Sequence, residues 1–324
     1  MKPRNFAMLI SGLFFVLAAS AQIAVAQPFP SKPLHIIVPF PPGGAADITA
    51  RLLGDHMAKG LGQPVLIENR PGAGAVIGYE LGARSPADGH TLLVVFPSFI
   101  IHPSLRKVTF DPIRDFKAVS QTISVPMGIA VTPSLPIKSL EELIVYARAN
   151  PGKLAYGTPG NGTTHHVVGE MLKLAVKIDI AHAPYPGEVP ALTAVAGGHL
   201  SMALVNASAI APFAKSGKAR AIVVTSRERA EVLPETPTLR EAGYPELEST
   251  NWAGMVVPAA TPPAAIARLN AEVVRALDNA EIQSKLRAQG MTPAPGTPEQ
   301  FMAMLQSESA RYAKVVREAG MKSE

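Results

Sequence analysis

Two glycine-rich turns are the places where this sequence could most readily bind a small molecule. One covers residues 41–47 (PPGGAAD) and the other residues 160–166 (GNGTTHH), and each leads into a predicted helix. The first N–H groups of a helix are unpaired and carry about half a positive charge, so they attract carboxylates or phosphates. Each turn alone is also compatible with an ordinary strand-to-helix connection. Their occurrence in two separate parts of the chain favours an anion site.

The side chains around these turns offer several roles. Thr163 and Thr164 can cap the second helix or donate hydroxyls to a ligand. Asp47 lies in the first turn of the first helix, where it stabilises the helix dipole, fixes the loop or meets a ligand donor. His165 and His166 are adjacent on a helix, so their side chains point about 100° apart and do not chelate one ion together. We expect one histidine at most to cap the helix or face a ligand, and no metal site.

The motifs of common enzymes are missing from the sequence. There is no Gly-x-Ser-x-Gly elbow, no His-Glu-x-x-His and no P-loop. Residues 72–78 (GAGAVIG) follow a predicted strand, but their third glycine comes one place too late for a dinucleotide-binding loop. We therefore expect no cofactor and no catalysis. A secreted hydrolase using His165 or His166 is the alternative, and it needs a nucleophile and an orienting acid that no motif indicates.

The first 26 residues have the features of an export signal. Lys2 and Arg4 precede an apolar run over residues 6–19, and residues 24–26 (AVA) place small residues where a signal peptidase cleaves. The apolar run is shorter than the roughly 20 residues that a bilayer span needs, although a retained anchor remains the alternative. We predict an exported chain that begins near Gln27.

Composition limits the class of protein further. About 300 mature residues exceed the usual size of a single hydrophobic core, so two lobes are expected. Cysteine is absent, so neither disulfides nor thiolate metal sites are available. The 30 basic and 25 acidic residues give a net charge of +5 with no basic run, which argues against nucleic acid as a partner. A mild positive field suits a small anion.

Hydrophobic patterning predicts an α/β protein. Apolar runs predict strands at residues 34–38, 65–67, 91–95, 128–131, 201–205 and 221–225, and helical patterns lie between them. The last third is mainly helical, over residues 262–279, 280–289 and 298–319. Strands separated by helices indicate parallel pairing with right-handed crossovers.

Two further stretches, residues 119–126 and 248–257, look like connections between lobes. If both cross, residues 27–125 and 252–324 form lobe 1, and residues 126–251 form an inserted lobe 2. Two crossing strands would then make a hinge.

Several motifs together resemble the Bug receptors, the solute-binding proteins of tripartite tricarboxylate transporters. They include residues 33–44 (PLHIIVPFPPGG), 68–74 (ENRPGAG), 160–163 (GNGT), 217–221 (GKARA) and 296–299 (GTPE), and the resemblance covers the mature chain in order. It implies a two-lobed Venus-flytrap periplasmic binding protein, type II-like, that resides in the periplasm. It also implies membrane permease subunits as partners, and a clamp of this kind works well as a monomer.

The resemblance further implies that backbone groups of the two glycine-rich loops hold a carboxylate, with little side-chain charge. Carried over to this sequence and extended to the residues after the third strand, the predicted ligand-binding residues are Pro42, Gly43, Gly44, Ala45, Asp47, Phe96, Ser98, Phe99, Gly160, Asn161, Gly162, Thr163, Thr164, His165, Pro186, Gly187 and Asn206.

Several residues near the predicted site differ from those usual in the family, and these differences indicate the class of ligand. Phe96 and Phe99 stand where small residues are usual, so they either line the pocket or belong to the core beneath it. Rings at the wall would favour an aromatic mono- or dicarboxylate over aliphatic di- and tricarboxylates. Pro186 replaces a common lysine and His165 a common threonine or serine. Val205 occupies a typically acidic position, so a partner for an ammonium group is missing and amino acids rank last.

The expected mechanism is an open–closed equilibrium that the ligand biases, because only a different affinity for two states can report occupancy to a partner. Delivery to a tripartite membrane transporter is the favoured role. A sensory receptor that presents its ligand to a signalling protein is the alternative, and the sequence does not separate the two.

Overall fold

A computed structural model describes residues 29–322 of the chain. The predicted signal peptide, residues 1–26, lies outside the described residues.

The N-terminal part is an open parallel sheet with helices between its strands. Strands and helices alternate as predicted: β1 (Leu34–Val38), α1 (Ala45–Leu61), β2 (Val65–Asn69), α2 (Val76–Ala83), β3 (Thr91–Val95) and α3 (Ser98–Leu105). Strand β1 pairs in parallel with β2 on one side and with β3 on the other.

One long strand joins the two halves of the molecule. Strand β4 (Phe116–Val131) pairs with β9 (Thr250–Pro258) along residues 116–126. Along residues 127–131 it pairs with β7 (Met202–Asn206) and β8 (Arg220–Val224). The sequence analysis separated a connection at 119–126 from a strand at 128–131, whereas the structure has one continuous strand. The polar residues of the connection mask the strand pattern, and the pairing with β9 shifts register twice there.

The second half repeats the parallel arrangement. The elements of this half are α4 (Leu140–Ala149), β5 (Leu154–Thr158), α5 (Thr164–Val176), β6 (Ile180–Pro184), α6 (Glu188–Ala196), β7 (Met202–Asn206), α7 (Ala207–Lys215) and β8 (Arg220–Val224). Strand β5 lies between β6 and β7 and is parallel to both. The sequence analysis gave no bounds for β5 and did not identify β6, α3 or α7.

The C-terminal segment returns to the first half and packs against the crossing strands β4 and β9. It comprises α8 (Pro263–Leu277), α9 (Ala280–Ala288), the short β10 (Thr292–Pro293) and α10 (Pro298–Glu318), and its helices match the predicted ones. Helix α10 contacts β9 directly, because Trp252 Nε1 donates to Glu308 Oε2 at 2.7 Å.

The strands form one mixed sheet in the order β2-β1-β3-β9-β4-β7-β5-β6, with β8 and β10 also pairing with β4. The partners of β4 change after Pro126, which pairs with Thr250, and this change lies next to the predicted lobe boundaries. The division into lobe 1 (residues 27–125 and 252–324) and lobe 2 (residues 126–251) as two moving bodies stays a prediction.

Phe99 belongs to the core of the first half, which corrects its predicted place at the pocket wall. Its side chain is fully buried, and its ring lies 5.1 Å from that of Tyr79 and 5.3 Å from that of Phe110. Adjacent residues of a helix point about 100° apart. Ser98 therefore faces the cleft described below, while Phe99 faces the sheet.

The different positions of the two phenylalanines give a stability prediction. Phe99→Ala should lower the free energy of unfolding by about 3–5 kcal/mol, because it leaves a cavity in a closed aromatic cluster. Phe96→Ala should cost less than half as much, since Phe96 is only half-buried. Denaturant unfolding without ligand measures both. Equal losses would contradict this placement of Phe99.

Candidate functional site

A cavity of about 690 Å³ opens between the two halves, at the carboxyl ends of the parallel strands. Loops after β1 and β3 line it from one half, and loops after β5, β6 and β7 from the other. Ligands of open α/β sheets bind outside the carboxyl ends of strands, and this volume suits a small organic molecule. The lining residues are Phe40, Pro41, Pro42, Gly43, Gly44, Ala45, Ala46, Phe96, Ser98, Pro159, Thr163, Thr164, His165, Gly187, Glu188, Asn206 and Asn251.

The start of α1 presents backbone N–H groups to this cleft. Gly44 is the N-cap residue and supplies no side-chain cap, so the N–H groups of Ala45 and Ala46 have no partner within the helix. Gly43 has a φ of 85°, which favours glycine at that position. A ligand oxygen can thus approach this helix end without meeting a side chain.

Asp47 holds this loop in place and does not line the cleft. Its carboxylate accepts from Gly43 N at 2.9 Å, from Arg51 Nε at 3.0 Å and from Asn69 Nδ2 at 2.9 Å. The hydrogen bond from Arg51 is the largest cause that lowers the pKa of Asp47 to about 2. Asn69 also donates to the Phe40 carbonyl, at 3.1 Å. Of the roles open to Asp47, the structure shows loop fixation.

The second glycine-rich loop is fixed by its own side chains. Thr163 Oγ1 donates to the Gly160 carbonyl at 2.8 Å and accepts from His166 N at 3.3 Å, so Thr163 is the N-cap of α5. Gly162 N donates to His166 Nδ1 at 3.2 Å. Thr164 Oγ1 reaches Asn251 Oδ1 in the crossing strand β9, at 3.2 Å. Thr164 and His165 begin the helix, so their own N–H groups have no partner within it.

A third helix start reaches the cleft from α6. Its N-cap, Gly187, has a φ of 130° and supplies no side-chain cap. Glu188 is the first helical residue, and its Oε1 accepts from Asn206 N at 3.0 Å. His165 Nε2 lies 3.1 Å from Asn206 Oδ1 and 3.5 Å from Glu188 Oε1. Burial lowers the pKa of His165, and the charge of Glu188 opposes that shift.

A histidine pair lies beneath the second loop. The rings of His166 and His182 stack with centroids 3.7 Å apart, and His182 Nε2 lies 2.7 Å from Thr158 Oγ1. Burial is the main cause that lowers the pKa of His166 to about 4 and that of His182 to about 3. Both rings are therefore neutral at pH 7, which lets His166 Nδ1 accept the N–H of Gly162.

The apolar wall of the cleft consists of rings and prolines. Phe40 and Phe96 meet edge to face with centroids 5.0 Å apart, and both remain half-buried. The Ser98 hydroxyl is within 2.8 Å of the Tyr79 hydroxyl, so Ser98 has a protein partner. This wall offers apolar surface to a ligand body, while the helix starts offer N–H groups to its charged end.

Most of the predicted site residues meet at this cleft. Those that line it are Pro42, Gly43, Gly44, Ala45, Phe96, Ser98, Thr163, Thr164, His165, Gly187 and Asn206. Those that do not line it are Asp47, Phe99, Gly160, Asn161, Gly162 and Pro186. Apart from Phe99, these lie in or beside the loops: Asp47 anchors the first loop, and Pro186 is exposed to solvent.

Six residues that line the cleft were not predicted, and two of them, Glu188 and Asn251, are polar. Glu188 directly follows Pro186-Gly187 in the sequence, so its position in the first helical turn after that loop could have indicated a place at the cleft. Asn251 comes from the crossing strand, and only the tertiary fold brings it to the cleft. Val205, interpreted as a lost acidic partner, is fully buried in the core of the second half. The cleft therefore does contain an acidic side chain, that of Glu188.

A larger hollow of about 870 Å³ lies on the outside of the second half. Ala214 and Lys215 at the end of α7 contribute to it, and Arg220 and Glu235 also line it. Arg220 Nη1 already donates to the Leu135 and Ile137 carbonyls, and a helix C-terminus presents carbonyl oxygens, which disfavour an anion. The cleft between the halves, where the starts of α1, α5 and α6 meet, is therefore the better anion site.

Within residues 29–322 no group of three or more His, Asp or Glu side chains is placed to hold a metal ion. None of the helices in that range combines the length and apolar character of a membrane span.

This fold and this cleft define a solute-binding receptor with the periplasmic binding protein architecture. The chain belongs to the tripartite tricarboxylate transporter receptor family, whose model matches residues 49–321. It is 35% identical over 318 residues to Protein BugT of Bordetella pertussis, covering 97% of this chain and 98% of BugT. The resemblance to Bug receptors is thereby confirmed.

Solved structures share the fold. An R. palustris protein solved with adipate is 33% identical, with a TM-score of 0.77 over 91% of this chain and 99% of that one. MatC from Rhodopseudomonas palustris with bound malate is 32% identical, with a TM-score of 0.73 over 89% and 100% of the two chains.

The neutral buried histidines predict acid sensitivity. The pKa of His102 and of His166 is about 4 and that of His182 about 3, below the ordinary 6.5. The unfolded chain therefore binds more protons between pH 6.5 and 4, so stability is full above that window and falls as pH drops through it. The thermal midpoint should decrease from pH 7 to 4.5, and His182→Asn should flatten the decrease. The exposed His199→Asn is the control, and parallel curves for all three proteins would contradict the assignment.

Proposed function

We propose that this chain is a receptor that binds a small organic carboxylate between its two halves and delivers it to the permease subunits of a tripartite membrane transporter. The observation that carries the proposal is the convergence of helix starts from both halves on one cleft. The starts of α1 and α6 have no side-chain cap, and the unpaired N–H groups of α5 lie beside them. Converging helix N-termini favour a negative ligand.

The charge of the lining residues supports an anion held by backbone groups. In the described part of the chain no lysine or arginine lines the cleft. Hydrogen bonds to a charged acceptor are about twice as strong as neutral ones, so a few N–H groups can hold a carboxylate. A fixed backbone donor also loses no side-chain entropy when the ligand binds.

The body of the ligand should be flat and apolar. Phe40 and Phe96 form one wall, and aromatic contacts contribute about 0.5–1.5 kcal/mol beyond their buried area. We therefore favour an aromatic mono- or dicarboxylate, with aliphatic di- and tricarboxylates next. The two R. palustris relatives were solved with adipate and malate, both aliphatic, which supports the carboxylate class without supporting the aromatic preference.

Closure of the cleft would couple binding to delivery. A Cβ on Gly162 would lie 2.7 Å from Leu105 Cδ1, so the second loop already touches α3 of the other half. Thr164 likewise reaches Asn251 in β9. A ligand that bridges the halves stabilises this contact, and a partner that recognises only the closed form then responds to occupancy.

A comparison of acids with their amides tests the carboxylate requirement. Benzoate and adipate should raise the thermal midpoint, whereas benzamide and adipamide at equal concentration should not, because the helix starts favour charge. A ligand at a hundredfold excess over Kd contributes about 2.7 kcal/mol of stability. Equal shifts for acid and amide, or no shift with any acid, would contradict the proposed function.

Truncation of the aromatic wall tests the favoured ligand body. Phe96→Ala should weaken benzoate binding about three- to tenfold and adipate binding less, because only the flat ring loses an aromatic contact. Titration calorimetry measures both, with the exposed Val145→Ala as control. Equal losses for the two acids would discard the aromatic preference and leave the receptor assignment intact.

A further inference from the structure

Glu188 is an acidic side chain in a cleft that otherwise favours anions. It is the first residue of α6, its side chain is 24% exposed, and it lines the cleft opposite the loop after β1. A carboxylate at this position works against a purely anionic ligand. Its surroundings indicate what it binds instead.

The carboxylate of Glu188 is held in a fixed orientation by neighbours that leave one oxygen open. Oε1 accepts from Asn206 N at 3.0 Å and lies 3.5 Å from His165 Nε2. Within residues 29–322, Oε2 has no hydrogen-bond partner. A carboxylate oxygen accepts two hydrogen bonds, so Oε2 is available to a ligand.

In the described part of the chain no lysine or arginine lies within ion-pair distance of Glu188. The contact that it makes there at that distance is with His165. The His165 ring is buried, and its Nε2 also lies 3.1 Å from Asn206 Oδ1, which fits a neutral ring that carries its proton on Nε2. A neutral ring orients Glu188 without cancelling its charge. The cleft therefore presents N–H groups and a negative acceptor to the same ligand.

We infer that Glu188 favours carboxylates that carry a second hydrogen-bond donor, a hydroxyl or an ammonium group, and weakens the binding of those that place a second carboxylate near it. This inference rests on the proposed function, since the ligand's carboxylate must first sit on the helix starts. A donor on the ligand satisfies Oε2, whereas a carboxylate there meets like charge at close range. Val205, the position at which the family typically has an acidic residue, lies in the core. Glu188, from another element, supplies the acidic partner for an ammonium group instead.

Two matched ligand series test this inference independently of the aromatic preference. The first is benzoate, 4-hydroxybenzoate and terephthalate; the second is hexanoate, 6-hydroxyhexanoate and adipate. In the series that the wild-type protein binds more tightly, the hydroxy acid should bind at least about tenfold tighter than the unsubstituted acid, because a hydrogen bond to a charged acceptor contributes that much. The dicarboxylate should bind more weakly than the hydroxy acid.

Glu188→Gln should reduce the hydroxyl preference to less than about threefold and strengthen binding of the dicarboxylate. The amide oxygen still accepts from Asn206 N, so the loop is retained, and the thermal midpoint checks folding. Glu141→Gln is the matched control, because Glu141 is an exposed glutamate in the first turn of α4 in the same half. It should leave the wild-type pattern unchanged.

Other outcomes overturn the inference. If the wild-type protein binds unsubstituted acids or dicarboxylates as tightly as hydroxy acids, Glu188 does not select donors, and the receptor function stands. The same conclusion follows if Glu188→Gln keeps the wild-type ratios. If no member of either series binds, the proposed function fails and the role of Glu188 fails with it.

Discussion

The unpaired N–H groups at helix starts attract anions, and the proposed binding site depends on that attraction. One such group gives little selectivity, but helix starts that converge from two halves can surround a carboxylate. The parallel strands make this possible, because each strand-to-helix turn then emerges at the same edge of the sheet. Strands β1 and β3 supply turns from one half, and β5, β6 and β7 supply them from the other.

Backbone N–H groups can bind a ligand only if the loops that carry them keep a fixed conformation. Side chains outside the cleft fix that conformation. Asp47 ties the first loop to Arg51 and Asn69, and His166 accepts the N–H of Gly162 in the second. The lowered pKa of Asp47 reflects how strongly its ionised form is held. These groups preorganise the site at the expense of their own access to the ligand, which explains why Asp47 and His166 do not line the cleft.

Local patterns predicted most of the fold and much of the site. The strand at residues 34–38 and the glycine turn after it follow from hydrophobic runs and turn residues, which act at short range. Phe99 was ambiguous because a helix turns by 100° per residue, and only packing decides which neighbour faces the core. Asn251 and the continuity of β4 depend on pairing between segments more than 100 residues apart, which no local pattern encodes. Glu188 lies in the first turn of α6, where a glutamate commonly complements the helix dipole, so its position alone did not indicate a ligand contact.

A crystal structure of the protein with bound benzoate would show whether the helix starts hold the carboxylate. One carboxylate oxygen should lie about 3 Å from the N–H of Ala45 or Ala46, and the other at similar distance from the N–H of Thr164 or His165. No lysine or arginine should contact the ligand. A benzoate held by Lys215 or Arg220 in the outer hollow, with the cleft between the halves empty, would contradict the proposed binding site.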